Sequence, residues 1–365
     1  MHLAWVEVRD FRSYGHLALE PDPGTNVFVG NNGAGKTNFL EAVGYLARLR
    51  SFRGAPDEAL LASEEERAII RGGFRRDAGE LRVEIELPRH GRRVVLVNGK
   101  RPQRFTELKR QLHLVAFLPD DLDLVKRGPA YRRDYLDDLA EQLWPAAGAE
   151  QEEYAKALRQ RNALLRQSGR DTDPVTLDVW DQRLAAGGAA VTRRRLELLA
   201  ELGPVLEGAY HRVGGAAATI EWSYRSKWLE APTDAAPPGV LETALGAALQ
   251  ESRRTDMERR VTTVGPHRDE PAFVLARRDA RIQASQGEQR SLALGLRMAA
   301  YHLLHDHYGE PPLLILDDVF SELDAQRAAG VLDLLPAGQV FISTAREEEV
   351  PVSGGRWSVG DGTIV

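Results

Sequence analysis

The chain of 365 residues has no cysteine. That excludes a disulfide framework and any thiolate-ligated zinc or iron–sulfur centre. Lysine is scarce too, six of 48 basic residues, a bias that points to genomic base composition rather than chemistry. No apolar run approaches the roughly 18–20 residues that span a bilayer. Residues 1–14 carry charges where a signal peptide would have its apolar core. The expectation is a soluble, cytoplasmic protein. Positive charge is also short: 48 Lys and Arg against 54 Asp and Glu leave a net charge of −6. This argues against coating nucleic acid by bulk charge, yet leaves room for a local basic stripe. With 43% apolar residues, the chain is long enough for two or three domains with sizeable cores.

The first part of the chain reads as strands. Residues 5–8 and 17–20 alternate apolar and polar, and 26–29 form a compact apolar run ending at Gly30. Leu81, Val83, Ile85 and Leu87 recur at period two, which predicts a strand with one buried face. Another strand is expected at 93–97, followed by Asn98-Gly99, a strong turn signal because both positions tolerate positive φ. From Pro129 the period changes. Leu136, Leu139 and Leu143, then Leu158, Leu164 and Leu165, then Leu184, Val191, Leu196, Leu198 and Leu199 suit amphipathic helices. Breaks are expected at Gly148, at 168–174 and at Gly203-Pro204, and APTDAAPPG at 231–239 is the clearest loop. No heptad pattern runs for three repeats. The reading is an α/β domain formed by 1–118 and 262–365, interrupted by a mainly helical lobe at 119–261.

Three motifs carry chemistry. Gly30, Asn31, Asn32, Gly33, Ala34, Gly35, Lys36 and Thr37 spell GNNGAGKT, a full phosphate-binding loop, preceded by a strand pattern and followed by a helix pattern. Its glycines let successive backbone N–H groups turn inward around phosphate oxygens at a helix N-terminus. Lys36 would reach the β and γ phosphates and the Thr37 hydroxyl would ligate Mg²⁺. LLILDD at 313–318 is an apolar run closed by two carboxylates. The run suits a buried central strand, with Asp317 placed to hold Mg²⁺ through water and Asp318 to polarise an attacking water. Between these two motifs Ser285, Gln286, Gly287, Glu288 and Gln289 spell SQGEQ. Ser285 and Glu288 have capping-box spacing, so the stretch starts a helix. A bare glycine in that first turn also makes an anion receptor, suited to a γ-phosphate held by a second subunit.

The ordered set GNNGAGKT, SQGEQ, LLILDD and SELD (321–324) resembles the ATP-binding-cassette superfamily: Walker A, signature, Walker B and D-loop. Within it the chain resembles the RecF recombination-repair family, through DFRSY (10–14), LVKRGPAYRRDYLD (124–137), GPHRDE (265–270) and the glutamine inside the signature. The resemblance implies an ABC-type P-loop ATPase head, a mixed sheet with an antiparallel subdomain, carrying an inserted helical lobe. It further implies ATP and Mg²⁺ as cofactors and a homodimer in which Ser285 to Gln289 act in trans on the partner's nucleotide. Ser321 and Asp324 would form the D-loop, and Lys36 and Asp318 would be the catalytic pair. The implied activity is a weak DNA-stimulated ATPase that clamps double-stranded and single-strand/double-strand junction DNA and assists recombinase loading. RecR and RecO are the implied partners, with no membrane association and a nucleoid-associated location.

The sequence departs from the superfamily pattern in three places. Leu118-Pro119-Asp120-Asp121 stands where a Q-loop glutamine is expected, Ser343-Thr344 replaces the switch histidine, and Asp318 stands for the commoner Glu. These departures imply slow turnover. An SMC-type head is the alternative, but it needs coiled-coil arms. A transporter ATPase subunit fits less well because of the inserted lobe and the missing histidine, and a small-molecule kinase leaves SQGEQ and SELD without a purpose. For DNA, residues 100–133 hold nine Lys or Arg against four Asp or Glu, with Lys126, Arg127, Arg132 and Arg133 the most clustered. These four are the candidate phosphate contacts. The alternative is a solvated surface, or arginines serving Asp134, Asp137 and Asp138.

Overall fold

The computed structural model describes residues 1–214, 218–230, 238–335 and 337–365. They fall into two compact units. The described residues of 1–121, 209–216 and 294–365 form the first, and those of 122–208 and 217–293 form the second.

The first unit contains two sheets. One is antiparallel, in the order Tyr14–Leu19, His2–Phe11, Arg67–Arg76, Gly79–Pro88, Val94–Val97. Its buried face includes Leu81, Val83, Ile85 and Leu87, as their alternation predicts. Asn98 and Gly99 both take positive φ, and Val97 and Lys100 exchange backbone hydrogen bonds across them. The second sheet runs Thr363–Ile364, Gly355–Gly360, Thr25–Val29, Val340–Thr344, Leu313–Asp317, Leu114–Phe117. Its pairings from Gly355–Gly360 through Leu114–Phe117 are parallel. Leu313–Asp317 and Val340–Thr344 are buried along their whole length, the condition for a continuous apolar strand covered on both faces. Helix Lys36–Arg48 packs on strands of both sheets, and Phe39, Leu40, Val43 and Leu46 are fully buried. A helix held on two sides cannot tilt, so its first turn is a fixed platform.

The second unit is built from helices Pro129–Leu143, Pro145–Ser168 and Pro238–Arg259 and most of Pro174–Gly214. Proline opens each, where its missing N–H costs nothing and its fixed φ suits the first turn. Tyr154, Leu184, Leu241, Leu245 and Leu249 form its core. Beside the helices lies a small antiparallel sheet, Arg278–Asp279, Glu270–Leu275, Ile220–Arg225. That sheet moves the boundary expected at residue 262. Glu270–Leu275 pairs along its full length with Ile220–Arg225, so 262–293 stays with the helices and the first unit resumes at Leu294.

Helix breaks differ in two places. Gly148 lies inside helix Pro145–Ser168, the actual break falling at Trp144-Pro145. Pro204 lies inside the 41-residue helix Pro174–Gly214. The carbonyl that Pro204 leaves without a donor belongs to Ala200, and both residues are exposed, so water can take the bond. The expected loop at 231–239 lies, except for its last two residues, outside the described residues.

Candidate nucleotide site and its surroundings

Strand Thr25–Val29 delivers the glycine loop to the start of helix Lys36–Arg48. Gly35, at the helix boundary, has φ +108, and a Cβ there would lie 2.9 Å from Ser13 Oγ and 3.0 Å from Tyr14 Oη. A Cβ on Gly30 would meet the Val359 carbonyl oxygen at 2.3 Å. Only glycine fits either position. Tyr14 donates its hydroxyl proton to the Gly35 carbonyl (3.0 Å), and Asn38 Nδ2 donates to Ser13 Oγ (3.0 Å), so the DFRSY turn braces the loop. The Lys36 ammonium lies across the loop, donating to the carbonyls of Gly30 (2.5 Å) and Asn31 (3.0 Å).

Strand Leu313–Asp317 brings its carboxylates to the same place. Thr37 Oγ1 donates to Asp317 Oδ1 at 3.0 Å, and Ser343 Oγ donates to the same oxygen at 2.6 Å. Asp318 has φ +50, and its N–H is held by Ser343 Oγ (2.9 Å) and the Ser343 carbonyl (3.2 Å). Aspartate tolerates that left-handed conformation better than most residues. It leaves Asp318 Oδ1 buried with no hydrogen-bond partner among the described residues. Burial raises the Asp317 pKa, opposed by hydrogen bonds from Ser343 and Thr37 and by the Arg53 charge, while Asp318 adds to the rise. Burial also lowers the Lys36 pKa, opposed by Asp318 and then Asp317. An orphaned carboxylate oxygen, a second carboxylate and a hydroxyl make an all-oxygen donor set, and this set fits Mg²⁺.

Two features of this site were not readable from motifs. Glu41, buried in the middle of the Walker A helix, accepts from Arg12 Nε (2.8 Å) and Nη2 (3.1 Å) and from the Ser51 hydroxyl. Ser51 Oγ in turn accepts the N–H groups of Arg53 (3.0 Å) and Ala55 (3.2 Å). One carboxylate therefore ties the DFRSY turn to the turn carrying Arg53. Arg53 itself is exposed, and its charge acts on Asp317. The other feature is Ser343, visible in the sequence only as a missing histidine.

Ser285 to Gln289 belong to the second unit, at the start of helix Gln286–Tyr308. The capping box is formed: Ser285 N–H donates to Glu288 Oε2 (2.7 Å) and Glu288 N–H to Ser285 Oγ (3.2 Å). Hydrogen bonding to its carboxylate from the Ser285 backbone and side chain lowers the Glu288 pKa. Ser285 and Gln286 are exposed, whereas Gln289 is buried and donates to the carbonyls of Ala280 (3.1 Å) and Arg281 (3.3 Å). Gln289 holds the preceding turn and does not face outward. In the first unit, Ser321 Oγ donates to the Asp318 carbonyl (2.9 Å), and Asp324 caps helix Ala325–Asp333 through Arg327 N–H (2.9 Å).

The expected DNA contacts divide. Lys126 and Arg127 are exposed, and Arg127 pairs with Asp123 at 2.7 Å. Arg132 is 1% exposed and donates to the carbonyls of Pro271 (2.5 Å), Arg127 (2.9 Å) and Leu124 (3.3 Å). Arg133 donates to the Asp269 carbonyl at 2.9 Å. Arg132 is a peg inside the second unit, which corrects its assignment as a DNA contact, and half-buried Arg133 is tied to the same unit by that bond. The GPHRDE stretch is part of the same scaffold. The Thr262 carbonyl accepts from His267 Nε2 (3.2 Å), which fixes the tautomer, so Nδ1 accepts from the Tyr154 hydroxyl (2.6 Å). Burial lowers the His267 pKa to about 4. Asp269 accepts from Tyr224 (2.9 Å) and Trp228 (3.1 Å).

Among the described residues no helix is long and apolar enough to cross a membrane. The family model for the RecF/RecN/SMC N-terminal domain matches residues 2–354. The DNA replication and repair protein RecF of Acidothermus cellulolyticus is 42% identical over 98% of this chain and 96% of its own. That of Streptomyces avermitilis is 40% identical over 100% and 99%. Among solved structures, the recombination mediator protein RecF with ATP, described as part of the RecFOR pathway, superposes with a TM-score of 0.91 at 30% identity, covering 100% of this chain and 97% of that one. An Smc head bound to the C-winged helix domain of ScpA superposes with a TM-score of 0.57 at 16% identity, a likeness of fold alone. The chain belongs to the RecF/RecN/SMC family of ABC-type ATPases and, within it, to the RecF proteins.

Proposed function

We propose that this chain is an ATP-dependent DNA-binding protein of replication and recombinational repair, in which ATP closes two copies on DNA and slow hydrolysis releases it. The supporting observation is the meeting of Lys36, Thr37, Asp317 and Asp318 at one glycine loop. Lys36 exchanges the loop carbonyls for β- and γ-phosphate oxygens. Thr37 and Asp317 would hold Mg²⁺, which would neutralise phosphate charge when bound. Asp318, its backbone fixed by Ser343, turns its unpartnered oxygen to accept a proton from the attacking water. Ser285 and Gly287 offer a capped helix start to the γ-phosphate of the partner copy. An aspartate in place of glutamate and a serine in place of histidine make hydrolysis slow, the behaviour of a switch rather than a motor. Partnership with RecO and RecR, action at junctions and gaps in the nucleoid, and help in recombinase loading belong to the same proposal and rest on family membership.

Sedimentation and DNA binding, with and without ATP, test the proposal in the native chain and Lys36→Ala. The native chain should dimerise and bind DNA only with ATP, and Lys36→Ala should do neither. Monomeric binding independent of ATP would remove the clamp.

A further inference from the structure

The antiparallel sheet of the first unit neutralises its own arginines. On its outer face Arg9 pairs with Glu7 (2.7 Å), Arg71 with Glu84 (3.1 Å), Arg82 with Glu84 (3.2 Å), Arg67 with Glu86 (3.5 Å) and Arg75 with Glu80 (3.7 Å). Past Pro88 this stops. Residues 89–110 hold eight Lys or Arg and a single acid, Glu107, in a chain whose net charge is −6.

Two of the eight are anchors. Arg89 donates to the Glu65 carbonyl (2.8 Å). Arg93 donates to the Leu49 carbonyl (2.6 Å) and the Tyr45 hydroxyl (3.0 Å), and its guanidinium lies 5.8 Å from the Phe105 ring centre. Strand Val94–Val97 and helix Phe105–Lys109 are thereby fixed to the carboxyl end of the Walker A helix, where a cation is favoured. Arg92, Lys100, Arg101 and Arg104 are exposed, and among the described residues no carboxylate pairs with them. Uncompensated cations repel one another, so a fold gains nothing by gathering them unless a polyanion lies across them. The strand between Arg92 and Lys100 sets their reach. Four residues at about 3.3 Å each give roughly 13 Å, close to four base-pair steps of duplex at 3.4 Å.

We propose that this surface, Arg92 and Arg104 at one end and Lys100 and Arg101 at the other, is where the phosphate backbone of duplex DNA lies. The proposal rests on the DNA-binding function argued above and places its contact surface on the ATPase unit rather than at residues 126–133. An acidic polypeptide is the competing polyanion. It is disfavoured because Phe105, 42% exposed and already covered by Arg93, is the only large exposed apolar side chain here among the described residues, and peptide ligands take their affinity from apolar anchors.

The test compares the native chain, Arg92→Ala/Arg101→Ala/Arg104→Ala, the matching triple Lys variant, and Lys126→Ala/Arg127→Ala. Binding of a short blunt duplex in ATP is measured from about 50 to 200 mM salt, with ATP affinity measured alongside. Each lost phosphate contact should lower the slope of log K against log salt by about 0.9. The triple Ala variant should therefore lose about 2–3 units of slope while keeping native ATP affinity, and the Lys variant should keep the slope. A native slope in the triple Ala variant, or loss of slope only in Lys126→Ala/Arg127→Ala, overturns the proposal and leaves the function standing. Native duplex binding with lost binding of polyglutamate also overturns it, in favour of an acidic partner. A native chain that binds no DNA in ATP overturns the function and this surface together.

Discussion

Ser343→Ala isolates the part of the site that replaces the superfamily's histidine. The Ser343 side chain is fully buried and its hydroxyl makes two bonds, donating to Asp317 Oδ1 at 2.6 Å and accepting Asp318 N–H at 2.9 Å. The second has a substitute, because Asp318 N–H also reaches the Ser343 carbonyl at 3.2 Å. The first does not: without it the Asp317 carboxylate keeps, among the described residues, only Thr37, at 3.0 Å. A hydrogen bond to a charged group contributes about 1.5–3 kcal/mol. The change removes one oxygen, so cavity cost is small, and the loss should fall on the ionised, positioned state of Asp317. At about 1.4 kcal/mol per decade, Mg²⁺-dependent ATP affinity should fall roughly 10–100-fold. Binding without the metal should be unaltered, since Lys36 and the loop amides hold the phosphates. A fluorescent ATP analogue titrated in Mg²⁺ and again in a chelator reads both terms. An equal loss under the two conditions, or none in Mg²⁺, would refute the reasoning.

Asp318→Asn should bind ATP and dimerise while hydrolysis drops about 10²–10⁴-fold, so the variant should persist on sizing columns as an ATP-bound dimer; a monomer in ATP would contradict the role of Asp318. Arg161 is fully buried and donates to Asp181 (2.6 Å), Asp256 (2.7 Å) and Thr262 (2.9 Å). Arg161→Met leaves buried Asp256 without a cation and should cost about 3–5 kcal/mol, much of it recovered in Arg161→Met/Asp256→Leu. Urea unfolding followed by tryptophan fluorescence measures this, four of the six tryptophans lying in that unit, and a cost under about 1 kcal/mol would count against the network. Burial lowers the pKa values of His113 and His267 from 6.5 to about 4. The unfolded chain therefore takes up protons first, so stability is complete above pH 6.5 and falls as pH drops towards about 4. His267→Gln should flatten that part of the pH–stability curve, and an unchanged curve would contradict the shift.

What the sequence revealed was local. The glycine loop, the strand before it and the helix after it are specified by neighbouring residues, and LLILDD announces a buried strand by its own run of apolar side chains. Asn98-Gly99 predicts its turn for the same reason. The Glu41 network was hidden because Arg12 lies 29 residues earlier and the helix between the sheets has no exposed face to contrast with. Arg132 was readable and misassigned: it stands four residues before Leu136 and seven before Leu139, on the stripe that is buried in helix Pro129–Leu143. Strand Ile220–Arg225 also carried a signal, since Ile220, Trp222 and Tyr224 alternate, but its partner Glu270–Leu275 comes 45 residues later in the chain. Long-range pairing, not local propensity, set the division into units.

The central claim is that the nucleotide is shared between two copies, one giving the glycine loop and the other the turn at Ser285. Ser285→Arg tests it most directly, by ATP binding, sedimentation and hydrolysis on the same preparation. If the turn only begins a helix, the variant loses an N-cap worth about 1 kcal/mol and all three readings stay native. The account predicts native ATP affinity in a monomer that neither dimerises nor hydrolyses ATP. Normal dimerisation and hydrolysis by Ser285→Arg would contradict it.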